Sequence, residues 1–112
     1  FKAPKLQGCG GYFLGNSISL EYVELGAVKS FATTVLNNDS KLKEFYVKEG
    51  TTSSLYLYHC PELTQESLHS VIECYADMTG VPAPTFYVGE ENLAKIDTEH
   101  IIMLEKKNII YQ

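Results

Sequence analysis

Two histidines and two cysteines lie close together in the stretch LYLYHCPELTQESLHSVIEC, which runs from Leu55 to Cys74. Imidazole and thiolate groups are the donors that zinc prefers, and a thiol beside an imidazole can act as a nucleophile with its base. The four residues are His59, Cys60, His69 and Cys74. This stretch is therefore the first place to look for a metal site or a catalytic thiol.

The predicted secondary structure separates these four side chains. His59 and Cys60 are neighbours on a predicted strand, so their side chains leave opposite faces. His69 and Cys74 lie on a predicted helix, roughly 140° apart around its axis at about 100° per residue. The paired Cys-x₂-Cys or His-x₃-His spacing of a structural zinc site is absent. We predict no metal and no cofactor, although a site that uses one member of each pair stays geometrically possible.

A catalytic thiol is the alternative that these residues leave open. Cys60 precedes Pro61 and a predicted helix start, where the helix dipole would stabilise a thiolate. Free cysteine is more often a small buried packing residue. The three cysteines, Cys9, Cys60 and Cys74, are either all reduced or include one bridge, such as Cys60–Cys74. A cysteine-dependent enzyme that uses Cys60 or Cys9 is therefore the second functional hypothesis, behind a non-enzymatic one.

The elements that would position these residues form an α+β pattern. The best-defined helix spans residues 65–79, with Thr64 as its cap and Gly80 as its stop. Turn signals at 37–40 and 49–52 predict chain reversals between strands. The predicted strands are 18–22, 27–36, a hairpin of 41–48 with 54–60, 84–88, and two in HIIMLEKKNIIYQ. No internal repeat is apparent.

The fold expected from these elements is one α+β domain over residues 1–112. Its sheet is predicted to be mostly antiparallel, with one principal helix packed on one face. Since the chain begins with Phe1 and not methionine, we expect a processed product, a trimmed chain or a piece of a larger protein. The small, odd number of cysteines favours an intracellular location over a secreted one.

The charge pattern weighs against several classes of partner. All nine basic residues are lysine, whereas arginine is the residue that usually recognises phosphate groups and guanine bases. Residues 1–56 carry a net charge of +1, and residues 57–112 carry −6. Because a nucleic-acid binder normally has a basic stripe, we predict no nucleic-acid partner. No apolar run is long enough to span a bilayer, so we predict no membrane insertion.

Tyrosine is the residue type that best indicates a function. The chain has eight tyrosines, and a tyrosine on a sheet face buries area while it keeps a polar tip. The predicted binding residues are Tyr22, Tyr56 and Tyr58 on strands and Ile110 on a final edge strand. We therefore predict a protein-interaction domain that binds a partner protein or forms a homo-oligomer through a tyrosine-rich sheet face or through this edge.

Two short stretches resemble known families, and neither resemblance is adopted as an identification. Residues 81–86 resemble the cis-proline strand of thioredoxin-like domains, in which Ala83 would line the active site. Because the Cys-x-x-Cys of that family is absent, the resemblance implies a redox-dead relative. Residues 72–76 and 81–86 also resemble the B and C strands of immunoglobulin-like domains, with Phe86 in place of the core tryptophan. That second resemblance would replace the predicted helix with a strand.

Overall fold

The computed structural model describes residues 1–112 as a stack of coils, and in the first two coils the chain returns to the same side every 22 residues. Lys2 pairs with Glu24, and Glu24 pairs with Tyr46, always in parallel. The same step joins Gly8 to Ser30 in a second sheet. Parallel strands need a long connection, and in these first two sheets one coil provides it without a crossover helix.

Eight short strands and three helices make up a compact α+β domain. In chain order the elements are β1 (Lys2–Ala3), β2 (Gly8–Cys9), β3 (Tyr22–Leu25), β4 (Ser30–Phe31), β5 (Glu44–Tyr46), β6 (Leu55–Tyr56), α1 (Gln65–Cys74), β7 (Thr85–Tyr87), α2 (Glu90–Leu93), α3 (Thr98–Lys106) and β8 (Ile110–Tyr111). The three sheets have the strand orders β1-β3-β5, β2-β4 and β6-β7-β8. Every pairing is parallel, so the predicted mostly antiparallel sheet is wrong.

The coils stack because apolar residues recur at the coil spacing. Val23 lies beside Phe45 in the register of β3 and β5, and both are fully buried. Leu25 and Val47, each two residues further along the chain on the same face, are buried as well. These side chains belong to a continuous core of 24 buried apolar residues. The domain has one interior, filled layer by layer.

The turns between coils are also matched. Asn16 and Asn38 both have positive φ, 60° and 65°, a conformation that asparagine tolerates better than most residues. The Asn38 side chain donates to Asn16 Oδ1 over 2.8 Å, and the Ser17 N–H donates to Asp39 Oδ1 over 2.8 Å. The turn signal at residues 37–40, which predicted a chain reversal, therefore marks a corner of a coil, where the chain bends without reversing.

Strand direction failed as a prediction because a turn signal does not say which strands pair. The predicted hairpin of 41–48 with 54–60 does not form, since β5 pairs with β3 and β6 pairs with β7. The predicted strand 18–22 overlaps β3 only at Tyr22, and its Ile18 is exposed, whereas the predicted strand 27–36 shrinks to β4. The 22-residue repeat was missed because only the apolar character of its positions recurs, not the residue types.

Helix α1 begins as predicted and ends early. Thr64 is its cap, with the hydroxyl accepting from the Ser67 N–H over 3.1 Å, which confirms that prediction. The helix ends at Cys74 and not at Thr79. The reason is the ladder: the Gly50 and Thr51 N–H groups donate to the Cys74 carbonyl, and Ala76 N–H donates to the Thr51 carbonyl. These bonds pull residues 74–76 back into an extended conformation.

Helix α1 also seals the open edge of β5 through one serine. The buried Ser67 hydroxyl donates to the Phe45 carbonyl over 2.7 Å and accepts from the Phe45 N–H over 2.8 Å. A side chain therefore supplies the two hydrogen bonds that a further strand would have made. The Lys107 ammonium closes the other end of α1 by donating to the carbonyls of Ile72, Glu73 and Tyr75.

The secondary structure of the C-terminal segment differs from the one predicted. Of the two strands predicted in HIIMLEKKNIIYQ, the first is part of helix α3, and only the second exists, as β8. The Asp97 carboxylate caps α3 by accepting from the His100 N–H over 2.8 Å, and Leu104 is fully buried. A short apolar run fits a helix and a strand equally well. None of the three helices is long and apolar enough to cross a membrane.

The two family resemblances find no support in the backbone. Only residues 85 and 86 of the stretch that resembles the thioredoxin-like strand belong to a strand, β7, and the structure has no cis peptide bond. Residues 72–74, which would begin an immunoglobulin-like B strand, are helical. Parallel coils are also unlike the antiparallel sandwich of immunoglobulin domains.

Candidate functional site

Two tyrosines lie side by side on the outer face of the β6-β7-β8 sheet. Leu55 pairs with Phe86 and Tyr56 pairs with Tyr87, so side-chain alternation buries the first pair and turns the second outward. The Tyr56 and Tyr87 rings are stacked, with centroids 4.9 Å apart and an interplanar angle of 14°. Phe31, from the preceding coil, continues the stack behind Tyr56 at 6.4 Å.

A third tyrosine turns this stack into a cleft. The Tyr58 ring meets Tyr87 edge-on, with centroids 6.5 Å apart, and it is 44% exposed. The resulting tyrosine cleft has a volume of about 440 Å³ and is lined by Thr33, Tyr56, Tyr58, Tyr87, Gly89 and Gln112. Gly89 has φ 83°, a left-handed conformation that lets the backbone pass close to Tyr58. Parallel stacking therefore brings residues from three different coils to one surface.

The hydroxyl groups in the cleft differ from those of the other tyrosines in the sheets. Tyr22 and Tyr46 donate to Glu24 and Glu44, and Tyr75 and Tyr111 donate to Ser53 and Glu105. No protein group is hydrogen-bonded to the hydroxyls of the three cleft tyrosines. Their rings are ordered by packing while their polar tips are available to an incoming group.

An acidic rim lies beside the tyrosine cleft. A second cavity of about 250 Å³ is lined by Tyr58, Pro61, Val88, Gly89, Glu90 and Glu91, so it shares Tyr58 and Gly89 with the cleft. Glu90 and Glu91, the acidic rim, are both exposed in the first turn of α2. No lysine lines either cavity. The two cavities together combine an aromatic platform with negative charge.

The predicted binding residues divide between different surfaces. Tyr56 and Tyr58 are together in the cleft, whereas Tyr22 lies on the β1-β3-β5 sheet beside Tyr46 at 5.6 Å. Ile110 is 48% exposed on β8, outside the cleft lining but on the same strand face as Gln112 by alternation. The predicted binding residues did not include Tyr87, which lies 31 positions after its neighbour Tyr56, with helix α1 between them. Only knowledge of the coil register could have joined them.

The cysteines are placed as packing residues. All three are free thiols, and Cys9 and Cys60 are buried. Burial, with a contribution from Asp39, raises the pKa of Cys60 to about 12, and burial also raises the pKa of Cys9. A nucleophilic cysteine needs the opposite shift, toward thiolate at neutral pH. The nearest imidazole in sequence, His59, has its ring against Tyr58 with centroids 4.1 Å apart.

We expect alkylation at neutral pH to reflect this burial. Iodoacetamide should label the partly exposed Cys74 first, and Cys9 and Cys60 only as fast as the domain unfolds, because a buried protonated thiol is unreactive. Mass spectrometry of timed samples measures the order, and a Cys74→Ser variant should leave only the slow phase. Fast, selective labelling of native Cys60 or Cys9 would contradict this placement.

A second cluster of chemically active side chains lies where α1 packs on α3. The rings of His69 and His100 are stacked, with centroids 3.8 Å apart and an interplanar angle of 6°. His100 Nδ1 is 2.7 Å from Asp97 Oδ1, and His100 Nε2 is 2.9 Å from Glu73 Oε2. His69 Nε2 accepts from the Asp97 N–H over 3.2 Å. We call His69, Glu73, Asp97 and His100 the interhelical cluster.

The pKa values of the two histidines in the interhelical cluster are shifted in opposite directions. Burial lowers the pKa of His100, but its hydrogen bonds with Glu73 and Asp97 outweigh burial and leave the pKa raised. Burial and the neighbouring His100 lower the pKa of His69. Hydrogen bonds from the His100 backbone and ring lower the pKa of Asp97. The arrangement places the His100 imidazole between two carboxylates, with the His69 imidazole stacked on it.

The structure does not bring His59, Cys60, His69 and Cys74 together into one site. His69 instead meets His100 and Asp97, with donor atoms that all lie within 4.8 Å of one another. The available sequence signal was a pair of spacings, His69-x₃-Glu73 on one helix and Asp97-x₂-His100 at the start of another. It was missed because α3 had been predicted to be a strand.

Comparison with known protein families, curated proteins and solved structures finds no match for this chain. The chemistry of the cleft and of the interhelical cluster is therefore the basis for any assignment of function.

Proposed function

We propose that this domain is a non-enzymatic binding module that captures an arginine-bearing, extended segment of a partner protein in the tyrosine cleft. The observation that carries the proposal is the set of three packed tyrosines, Tyr56, Tyr58 and Tyr87, whose hydroxyls have no partner in the protein. Clustered tyrosines of this kind are typical anchors of protein interfaces.

The rings provide most of the contact surface. Tyr56 and Tyr87 are held against each other and against Phe31, so they lose little freedom when a ligand binds. Tyr58 is exposed enough to close over a group that lies on the stack. Three hydroxyls can then donate to, or accept from, the backbone of an extended segment.

The charge beside the cleft favours a cationic partner. Glu90 and Glu91 lie next to the cleft, no lysine lines it, and residues 57–112 carry a net charge of −6. Arginine fits both parts of this surface, because its planar guanidinium stacks on aromatic rings and pairs with carboxylates. Lysine would gain the charge but not the stacking.

The cysteine-dependent enzyme is the less favoured alternative. Its candidate nucleophiles, Cys60 and Cys9, are buried with raised pKa values, and neither lines the cleft. The interhelical cluster also contains no thiol. The labelling experiment described above discriminates between the two hypotheses.

Titration with synthetic peptides tests the proposal directly. The probe is a short, extended peptide with two arginines around a leucine, compared with matched peptides in which both arginines are lysine, glutamine or glutamate. We expect affinity to fall in that order and to weaken as salt is added, since the rim charges are exposed. Calorimetry measures each affinity. No binding by the arginine peptide, or equal binding by the glutamate peptide, would contradict the proposal.

Self-association through the last strand stays a prediction with its own test. β8 is the outer strand of its sheet, and its Ile110 side chain is 48% exposed. If two copies associate there, Ile110→Lys should shift the sedimentation coefficient to that of a monomer, since a charge on an exposed edge opposes pairing. A wild-type domain that is monomeric at all concentrations would remove this route without affecting the peptide result.

A further inference from the structure

We propose that the interhelical cluster binds a divalent transition-metal ion of the zinc class, with His69, Asp97 and His100 as ligands and Glu73 as the carboxylate that orients His100. This site lies between α1 and α3 and shares no residue with the tyrosine cleft. The ion would join the two helices.

The donor set suits such an ion. Two imidazole nitrogens and a carboxylate oxygen are common zinc ligands, and three protein ligands leave a fourth position for water. Zinc bonds of about 2.0–2.1 Å in a tetrahedral arrangement hold ligand atoms about 3.3 Å apart. The distances from Asp97 Oδ1 to His100 Nδ1 and to His69 Nε2, 2.7 Å and 4.0 Å, lie on either side of that value.

The carboxylate of Glu73 supplies the outer contact that metal-bound histidines usually have. With Nδ1 of His100 on the metal, its Nε2–H donates to Glu73 Oε2, to which it is already 2.9 Å away. Such a contact fixes the tautomer and the orientation of the ring. His69 and Glu73 are four residues apart on α1, and Asp97 and His100 three apart on α3, so each helix presents its pair on one side.

One side chain must move when the ion binds. A metal ion lies close to the plane of each imidazole that it contacts, whereas the two rings are parallel and 3.8 Å apart. His69 is the ring that can turn, because carboxylates hold His100 at both nitrogens while His69 has a single bond to the Asp97 N–H. The Asp97 and Glu73 side chains are 46% and 58% exposed, which gives an ion access from solvent.

Titration of the tag-free full chain with Zn²⁺ and with Co²⁺ tests the site. We expect one ion per chain, a higher melting temperature with Zn²⁺ because the folded state alone holds the site, and a Co²⁺ spectrum without thiolate charge-transfer bands. His69→Gln should abolish saturable binding. Asp97→Asn should weaken it strongly while it preserves the cap of α3. Glu73→Gln should lower affinity about tenfold to 100-fold.

The third histidine provides the matched control. His59 lies outside the cluster, so His59→Gln should bind Zn²⁺ with the affinity of the wild type. The proposal is overturned if the wild type binds no ion stoichiometrically, if His69→Gln binds as well as the wild type, or if Co²⁺ acquires thiolate bands.

Discussion

Replacement of Ser67 by alanine should lower the free energy of unfolding by about 2–4 kcal/mol, because it leaves two buried backbone groups without partners. The Ser67 hydroxyl is the partner of both the N–H and the carbonyl of Phe45, and alanine offers neither contact. Both groups stay buried, since Phe45 is fully buried and Ser67 almost fully so. Urea denaturation of the two proteins measures the difference.

The same helix offers a matched control for this substitution. Ser70 is also a serine of α1, is partly exposed, and bonds to no other element. Ser70→Ala should therefore change the free energy of unfolding by no more than about 0.5 kcal/mol. If the two variants are equally stable, α1 does not close the edge of β5, and the arrangement of the coils described above is incorrect.

Loss of the Tyr58 ring should weaken binding of the arginine peptide about tenfold to thirtyfold, the effect typical of an aromatic anchor. Tyr58 lines both the tyrosine cleft and the cavity of the acidic rim, so its ring contacts both parts of the proposed ligand. Because it is 44% exposed, Tyr58→Ala should retain the fold, which circular dichroism can verify. Tyr58→Phe keeps the ring and should lose much less affinity.

Tyr22 is the control for the cleft. It is a tyrosine on a different sheet, and its hydroxyl is already bonded to Glu24. Tyr22→Ala should leave the affinity for the arginine peptide unchanged. A loss as large as that of Tyr58→Ala would mean that the peptide binds elsewhere, on the β1-β3-β5 face.

Local signals in the sequence predicted local structure well. The Thr64 cap, the start of α1 and the strand at residues 85–87 follow from capping chemistry and β-propensity, which depend on near neighbours. The end of α1 did not follow, because hydrogen bonds to residues 50 and 51 decide it. Propensity carries no information about a partner that distant.

The direction of the sheets required a different kind of information. Leu20, Val23 and Leu25 recur as Leu42, Phe45 and Val47 at a spacing of 22 residues, which is a signal of stacked coils. Only the first two coils keep this spacing, since the following step is 24 residues between Thr51 and Tyr75 and 31 residues between Leu55 and Phe86. Turn residues that fit hairpins equally well obscured the remaining pattern.

The candidate sites were predictable only in part for the same reason. Tyr56 and Tyr58 are two residues apart in the sequence. Because side chains alternate between the faces of a strand, the sequence alone predicts that both lie on the same side. Tyr87, Glu90 and Glu91 reach the same surface only through the parallel pairing of β6 with β7. His100 meets His69 only because a stretch predicted as a strand is helix α3.

The most direct measurement of the proposed function is a nuclear magnetic resonance titration of the domain with the arginine peptide. We predict shifts for the ring protons of Tyr56, Tyr58 and Tyr87 and for the backbone amides of Glu90 and Glu91. The ring protons of Tyr22 and Tyr46 should stay unchanged, since they lie on the other sheet. Shifts confined to Tyr22 and Tyr46, or no shifts at saturating peptide, would contradict the assignment of the tyrosine cleft as the binding site.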